Sequence, residues 1–330
     1  MTATDLDDDL FSPAEGKPPY GLTTEDAWGN EGGRYRYPAP PDWAGRTPKP
    51  SATNPLGLPT WMRMTNLVSA FSDQERLQLW LTWKGMMGLR AGDGVLFDEW
   101  MAIDVESADP KTQSKWANEM AERARAMADG DAAGRRGTAR HKMMDHYLTT
   151  GYETGTRAMR VQLRDAMAAL DAHGFDVVRS EFKVWHPAAG GTMGTSDVEI
   201  MCRHTGQLGI LDWKTQTRFW TWQEPAGQLF GYDSAPWTWQ GPPDPTGRWV
   251  RAEPHTLVGR PGTKLAGKRV ALVAHMPQTP GPGRLPVELH QVDLEYGRAV
   301  LETAERNVAL RSIGRSQAVE RMPAEHLPRP

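Results

Sequence analysis

The chain predicts an α/β fold: three consecutive strands in an antiparallel meander, a helix, then further strands, all flanked by helices. Three observations predict it. Residues 175–185, 192–202 and 208–213 are successive strand-like runs, and the third is nearly all apolar from Leu208 to Trp213. Helical periodicity precedes them over 111–129, 134–148 and 156–172, and it returns over 222–233 and 294–310. Two more strand-like runs, 269–275 and 287–292, separate the last two helices.

Taken in order, residues 1–60 are rich in Pro, Gly and charge and poor in aliphatic side chains. They read as a mostly disordered arm, or one that orders on another surface. Residues 61–133 read as a helical N-terminal region, with helical pattern over 61–83 ending near Gly85 or Gly88. The core is expected over 134–311, its first helix carrying His141. The next helix, 156–172, stops at Gly174. It sets Arg157, Arg160 and Arg164 on one side, and Met159, Leu163, Ala166, Met167 and Leu170 on the other. Residues 236–268 are expected to form a long Pro/Gly-rich loop, which is usually functional or disordered at that length. Residues 312–330 are polar and Pro-rich and read as a flexible tail. There is no internal repeat.

Composition excludes several classes. The 330 residues can bury a sizeable core, and 39% hydrophobic content fits a folded core with disordered edges. No run is long and apolar enough to span a membrane, and residues 1–10 are acidic without a signal-peptide core, so no membrane partner is expected. The single cysteine, Cys202, rules out an intramolecular disulfide framework and suits the cytosol, so cytoplasmic residence is the default expectation. In its strand, Cys202 reads as a small buried hydrophobe. A net charge of −3 is not that of a nucleic-acid coat protein, but a chain that acts on phosphate esters needs only a local basic groove. Arg135, Arg136, Arg140, Arg157, Arg160 and Arg164 could supply one as a phosphate track; the plain alternative is a solvated charged face.

The most informative stretch is Gly194-Thr195-Ser196-Asp197 followed by Ile210-Leu211-Asp212-Trp213-Lys214. If Thr205-Gly206 is a two-residue hairpin loop, 204 pairs with 207, 199 with 212 and 197 with 214. Period-two alternation then puts Asp197, Glu199, Asp212 and Lys214 on one face, an arrangement that a one-residue slip would destroy. Two carboxylates can share a hard cation such as Mg²⁺, which polarises a phosphoryl oxygen, while lysine adds charge beside the developing anion. The plain alternative is a surface pair between Asp212 and Lys214.

Other motifs stand in order around this pair. Gly137-Thr138-Ala139-Arg140-His141 opens into a helix, Glu181 ends the run from Val177, and Gln228 and Tyr232 lie at i and i+4. Together they resemble the PD-(D/E)xK superfamily, and within it the RecB-like exonuclease branch, over residues 135–310. Arg63 to Phe71 also resembles the start of phage-encoded members. The resemblance implies a restriction-endonuclease-like core with a central mixed sheet. It implies that Asp197, Asp212, His141 and the Trp213 backbone carbonyl ligate the metal, and that Lys214 positions or activates the attacking water. Gln228 and Tyr232 would contact phosphate or brace the site; Glu181 would complete the metal shell or hold a ligand from outside it. The plain readings remain: a helix pair between His141 and Asp145, a packed Tyr232 ring, and a solvated Glu181. Relatives with an iron–sulfur cluster use four cysteines, which this chain lacks, so a cluster-free member is implied.

The expected function is a Mg²⁺- or Mn²⁺-dependent DNA exonuclease using one or two ions, serving phage or bacterial recombination, repair or end processing. Its partners would be single- or double-stranded DNA ends, with a recombinase, single-strand-binding protein or helicase alongside. Residence would be the host cytoplasm if the chain is phage-encoded. The alternatives are an endonuclease on the same core and a catalytically idle DNA-binding module. Trp237 and Trp239, among 14 tryptophans, could stack unpaired bases, or could instead cover the core or a partner.

Overall fold

A computed structural model describes residues 30–31, 34–51, 56–71, 82, 85–89, 95, 98–99, 109–127, 132–215, 222–242, 246–277 and 286–312. The expected tail after 312, residues 1–29 of the expected arm and most of 72–108 lie outside these. The chain forms two compact units, residues 73–144 and the remainder. Within the smaller unit lie α2 (Pro110–Met127) and the first part of α3 (Ala132–Thr150). Asp109 starts α2, its Oδ1 accepting the Lys111 and Thr112 N–H groups at 2.9 and 3.2 Å.

The larger unit is built on a ten-stranded mixed sheet flanked by helices. Its strands are β1 (Asn30–Glu31), β2 (Arg34–Arg36), β3 (Thr60–Arg63), β4 (Phe175–His186), β5 (Thr192–Cys202), β6 (Leu208–Lys214), β7 (Trp237–Gln240), β8 (Arg248–Arg251), β9 (Val270–His275) and β10 (Glu288–Asp293). The expected meander is β4, β5 and β6, antiparallel throughout. β9 then joins β6 in parallel, and β10 closes that edge antiparallel to β9. Helices α1 (Met64–Val68), α5 (Gln223–Asp233) and α6 (Leu294–Ser312) cover the core through Met64, Leu67, Leu229, Tyr232, Leu301 and Ala304. Helix α4 (Arg157–Ala172) packs near β4; Thr156 caps its start by accepting the Met159 N–H at 3.3 Å, and Gly174 follows its end with φ +74°.

Three expectations fail. Residues 61–63, expected to open the helix over 61–83, lie in strand β3; the described helix after them is Met64–Val68, and 72–81 lie outside the described residues. For the arm, disorder fails over 34–37 and the second reading, ordering on another surface, fits: β2 pairs with β3 and buries Tyr35, with buried Tyr37 just beyond it. The supposed 236–268 loop contains the hairpin β7–β8, with β7 paired to β4. Aromatic burial explains the last two. Tyr35, Tyr37, Trp61, Trp185, Trp237, Trp239 and Trp249 form one core cluster, with edge-on ring contacts of 5.2 Å between Tyr37 and Trp239 and between Trp239 and Trp249. Each aromatic ring removes a large apolar area from water, enough to order Pro- and Gly-rich chain on either side.

The meander's register also differs. The turn holds four residues, Arg203–Gly206, closed by Cys202 N–H to Gln207 O at 2.9 Å and Gly206 N–H to Cys202 O at 2.8 Å, with Gly206 at φ +67°. Glu199 therefore pairs with Ile210, not Asp212. The shift is two residues, so each side chain keeps its parity, and the strand end that carries Asp212 comes level with Asp197 instead of Glu199.

Candidate active site

One edge of β5 is shared by two strands. β3 holds Thr192 and Met193 in parallel, and β6 holds Val198 to Met201 antiparallel. β5 thus forks between them, over Gly194–Asp197. The fork is where the acidic residues gather.

Asp197 turns into it. Its Oδ2 accepts the main-chain N–H of Trp213 at 2.8 Å, so the β5 carboxylate grips β6 where the ladder stops. N–H and C=O of one strand residue point to the same neighbour, so the Trp213 carbonyl faces the same edge. Glu181 sits across β5 on β4, between the pairs Ser180–Val198 and Phe182–Ser196. Carboxylate oxygens of Glu181 and Asp197 lie within 4.8 Å of each other. Glu181 reaches this position with φ +46°, a left-handed conformation inside a strand. The strand's alternation breaks there. The Arg179 guanidinium lies over the Phe182 ring at 4.0 Å, although residues three apart in a regular strand face opposite ways.

Asp212 is buried, with 2% of its surface exposed. Its Oδ2 lies 2.5 Å from Lys214 Nζ. Burial opposes the Lys214 charge, but Asp212 and Asp197 outweigh it and raise the pKa of the ammonium. Gln228 Nε2 donates to the Tyr232 hydroxyl at 3.0 Å, as their helical spacing suggested. Burial raises the Tyr232 pKa, and the neighbouring Tyr35, Asp212 and Asp197 add to the rise. The ring is packed so closely on β5 that a Cβ at Gly194 would lie 2.1 Å from Tyr232 Cε1.

His141 falls on the part of α3 belonging to the smaller unit. Along its own helix it stands one turn before Asp145, whose Oδ1 accepts the Ser180 hydroxyl at 2.7 Å, next to Glu181. Asp145 thus has a partner on β4 beyond the helix pair weighed for it with His141. Glu199, expected on the face of Asp197, is drawn elsewhere: Arg179 binds both its oxygens at 3.0 Å, and His255 Nε2 lies 3.0 Å from Oε1.

The arginine track is only partly available. Arg160 donates to the Gly155 carbonyl at 2.8 Å and Arg164 lies 3.7 Å from Glu153, while Arg157, Arg135 and Arg136 are exposed. Arg140 points back toward the Arg136 carbonyl at 3.4 Å, and burial, then Arg136, lowers its pKa. Trp237 and Trp239 are a correction: each is 7% exposed, within the aromatic core, with its indole N–H bonded to Asp42 Oδ1 and Pro242 O respectively. Rings held this way present no face for a base. Cys202 is half-buried at the end of β5.

The sequence reading missed Lys183 and Thr195. Lys183 Nζ donates to Thr195 Oγ1 at 2.5 Å, and the Tyr35 hydroxyl lies 3.2 Å from the same oxygen. Burial lowers the Lys183 pKa, partly offset by Glu181. A signal was present: Glu181-Phe182-Lys183 repeats the acid-x-Lys spacing of Asp212-Trp213-Lys214.

The chain matches no protein-family model, and no curated protein shows significant similarity to it.

Proposed function

We propose that this chain is a Mg²⁺- or Mn²⁺-dependent deoxyribonuclease of the PD-(D/E)xK type, acting as an exonuclease. The observation that carries the reading is the fork. Glu181 and Asp197 converge there to within 4.8 Å, and the Asp212–Lys214 pair is tied to them through the Trp213 N–H. Glu181 is exposed, so the two carboxylates repel through water by about 1 kcal/mol. Holding Glu181 at positive φ costs on the order of another 1–3 kcal/mol. A divalent cation between them offsets both, so the donor set fits a hard ion bound through oxygen.

Glu181, Asp197 and Asp212 would hold the ion, with the Trp213 carbonyl beside them. The bound ion would supply Lewis-acid stabilisation of the phosphoryl oxygens. The remaining work belongs to the chain. Lys214 places a positive charge beside Asp212 and orients the attacking water by donating a hydrogen bond. The Gln228–Tyr232 pair braces the β5 backbone at Gly194, keeping Asp197 aimed at the fork. Lys183, anchored on Thr195, adds a second positive charge on the Glu181 side. Water attacks phosphorus in line and gives up a proton to solvent, the P–O bond to the leaving oxygen breaks, and that oxygen departs with a proton from solvent.

End-labelled linear DNA with Mg²⁺ or Mn²⁺ tests this, comparing wild type with Asp212→Ala and Lys214→Ala. Wild-type cleavage and at least a 100-fold loss in each variant are expected. Equal activity in all three overturns the reading, and cutting of circular DNA would make the enzyme an endonuclease.

A further inference from the structure

On the sheet edge beyond β6, β10 lies against β9 with Glu288 opposite His275 and His290 opposite Val273. Residues two apart on one strand share a face, so His290 joins the face of Glu288 and His275. Ligand atoms of His275, Glu288 and His290 all lie within 4.8 Å of one another. Glu288 Oε2 is 3.4 Å from His290 Nε2 and 3.9 Å from His275 Nδ1. Both spacings exceed the usual N–H···O range. They are near the separation of ~3.3 Å between two ligands on a tetrahedron with bonds of ~2.0 Å.

We propose that His275, Glu288 and His290 form a second metal site, selective for Zn²⁺ or a similar borderline cation. Two imidazoles and one carboxylate suit such an ion, whereas Mg²⁺ prefers oxygen ligands alone. Three protein ligands leave a fourth position for water or another small donor. The surroundings hold the set in place. His275 is buried on β9 beside Lys214 of β6, and the His290 ring stacks edge-on against Trp222 at 5.1 Å. The ion would clamp edge strand β10 onto β9, one strand away from Lys214. This site does not rest on the nuclease reading, because none of its ligands belongs to the fork.

Calorimetric titration of the full chain with Zn²⁺ tests it, with Co²⁺ absorption reporting the coordination geometry. His290 is the residue to replace: its side chain is 34% exposed, so His290→Asn removes a ligand with little loss of packing. Glu288→Gln serves as a second variant, and thermal unfolding checks that each folds. With the fork held by excess Mg²⁺, wild type should bind one Zn²⁺ per chain. Affinity should fall at least 10-fold in His290→Asn and Glu288→Gln, and stay within twofold in Asp197→Asn. The proposal is overturned if wild type binds no Zn²⁺, if both ligand variants bind as wild type does, or if Asp197→Asn abolishes binding.

Discussion

Gly194 and Glu181 occupy neighbouring strands and are constrained in opposite ways. Gly194 lacks a side chain where the Tyr232 ring needs the room, and Glu181 keeps one where its backbone would favour glycine. Gly194→Ala should therefore push the ring away from β5. Overpacking of this kind costs about 1–3 kcal/mol. The expected result is a lower urea midpoint at unchanged slope; on the proposed nuclease reading, DNA cleavage also falls as Asp197 moves. An unchanged midpoint would mean that the ring retreats freely and that Gly194 is not needed for the close approach.

At the scale of elements, the β7–β8 hairpin shows how tryptophans that look like base-stacking groups become core. Trp237 is flanked by Asp42 through its N–H at 2.6 Å and by the Arg251 guanidinium at 4.3 Å from the ring centre. Trp237→Ala should cost about 3–5 kcal/mol and lower the melting temperature, because it empties part of a packed cluster. A base-stacking role predicts the reverse pattern: intact stability with weakened single-strand binding. The meander teaches a related point. Asp-x-Lys, Asp197 and the Gln228–Tyr232 spacing were legible because each is local. The turn length was not, since Thr205-Gly206 permits either a two- or a four-residue loop. The site's side-chain parity survived because the difference is even.

For the whole molecule, two opposed groups shape stability between pH 4 and 6.5, alongside carboxylates such as Glu199 whose lowered pKa acts at the acid end. Burial lowers the His186 pKa to about 4, and its Nδ1 is placed to accept the Ala188 N–H at 3.0 Å. Its unfolded state binds the proton more readily, so its contribution is present above the unfolded pKa of 6.5 and is lost as pH falls toward 4. Burial instead raises the Asp233 pKa to about 6, against the pull of His255 and Arg269. Its contribution is full below the unfolded value of 3.8 and is lost as pH rises through about 6. His186→Asn keeps an acceptor but no titration, and should make stability fall less toward pH 4 than in wild type. The shift at the acid end should be on the order of 1–3 kcal/mol. Denaturant unfolding at pH 4.5, 5.5 and 6.5 checks it, and a wild-type-like profile in the variant would refute the assignment.

The sequence by itself determined the order of elements from α2 through α5 and from β9 through α6, the grouping of carboxylates and lysine near Asp197 and Asp212, and the pairing of Gln228 with Tyr232. These depend on periodicity and on spacings of two to four residues, which backbone geometry converts directly into direction. Only the tertiary structure decided which strands flank β5, and hence that it forks at Gly194–Asp197. It also decided that Glu181 breaks its strand's alternation, that the tryptophans turn inward, and that His275, Glu288 and His290 converge. Each of these joins residues distant in sequence or depends on strand partners that are. Such pairings follow from how whole apolar faces are buried together, which no local window of the chain contains.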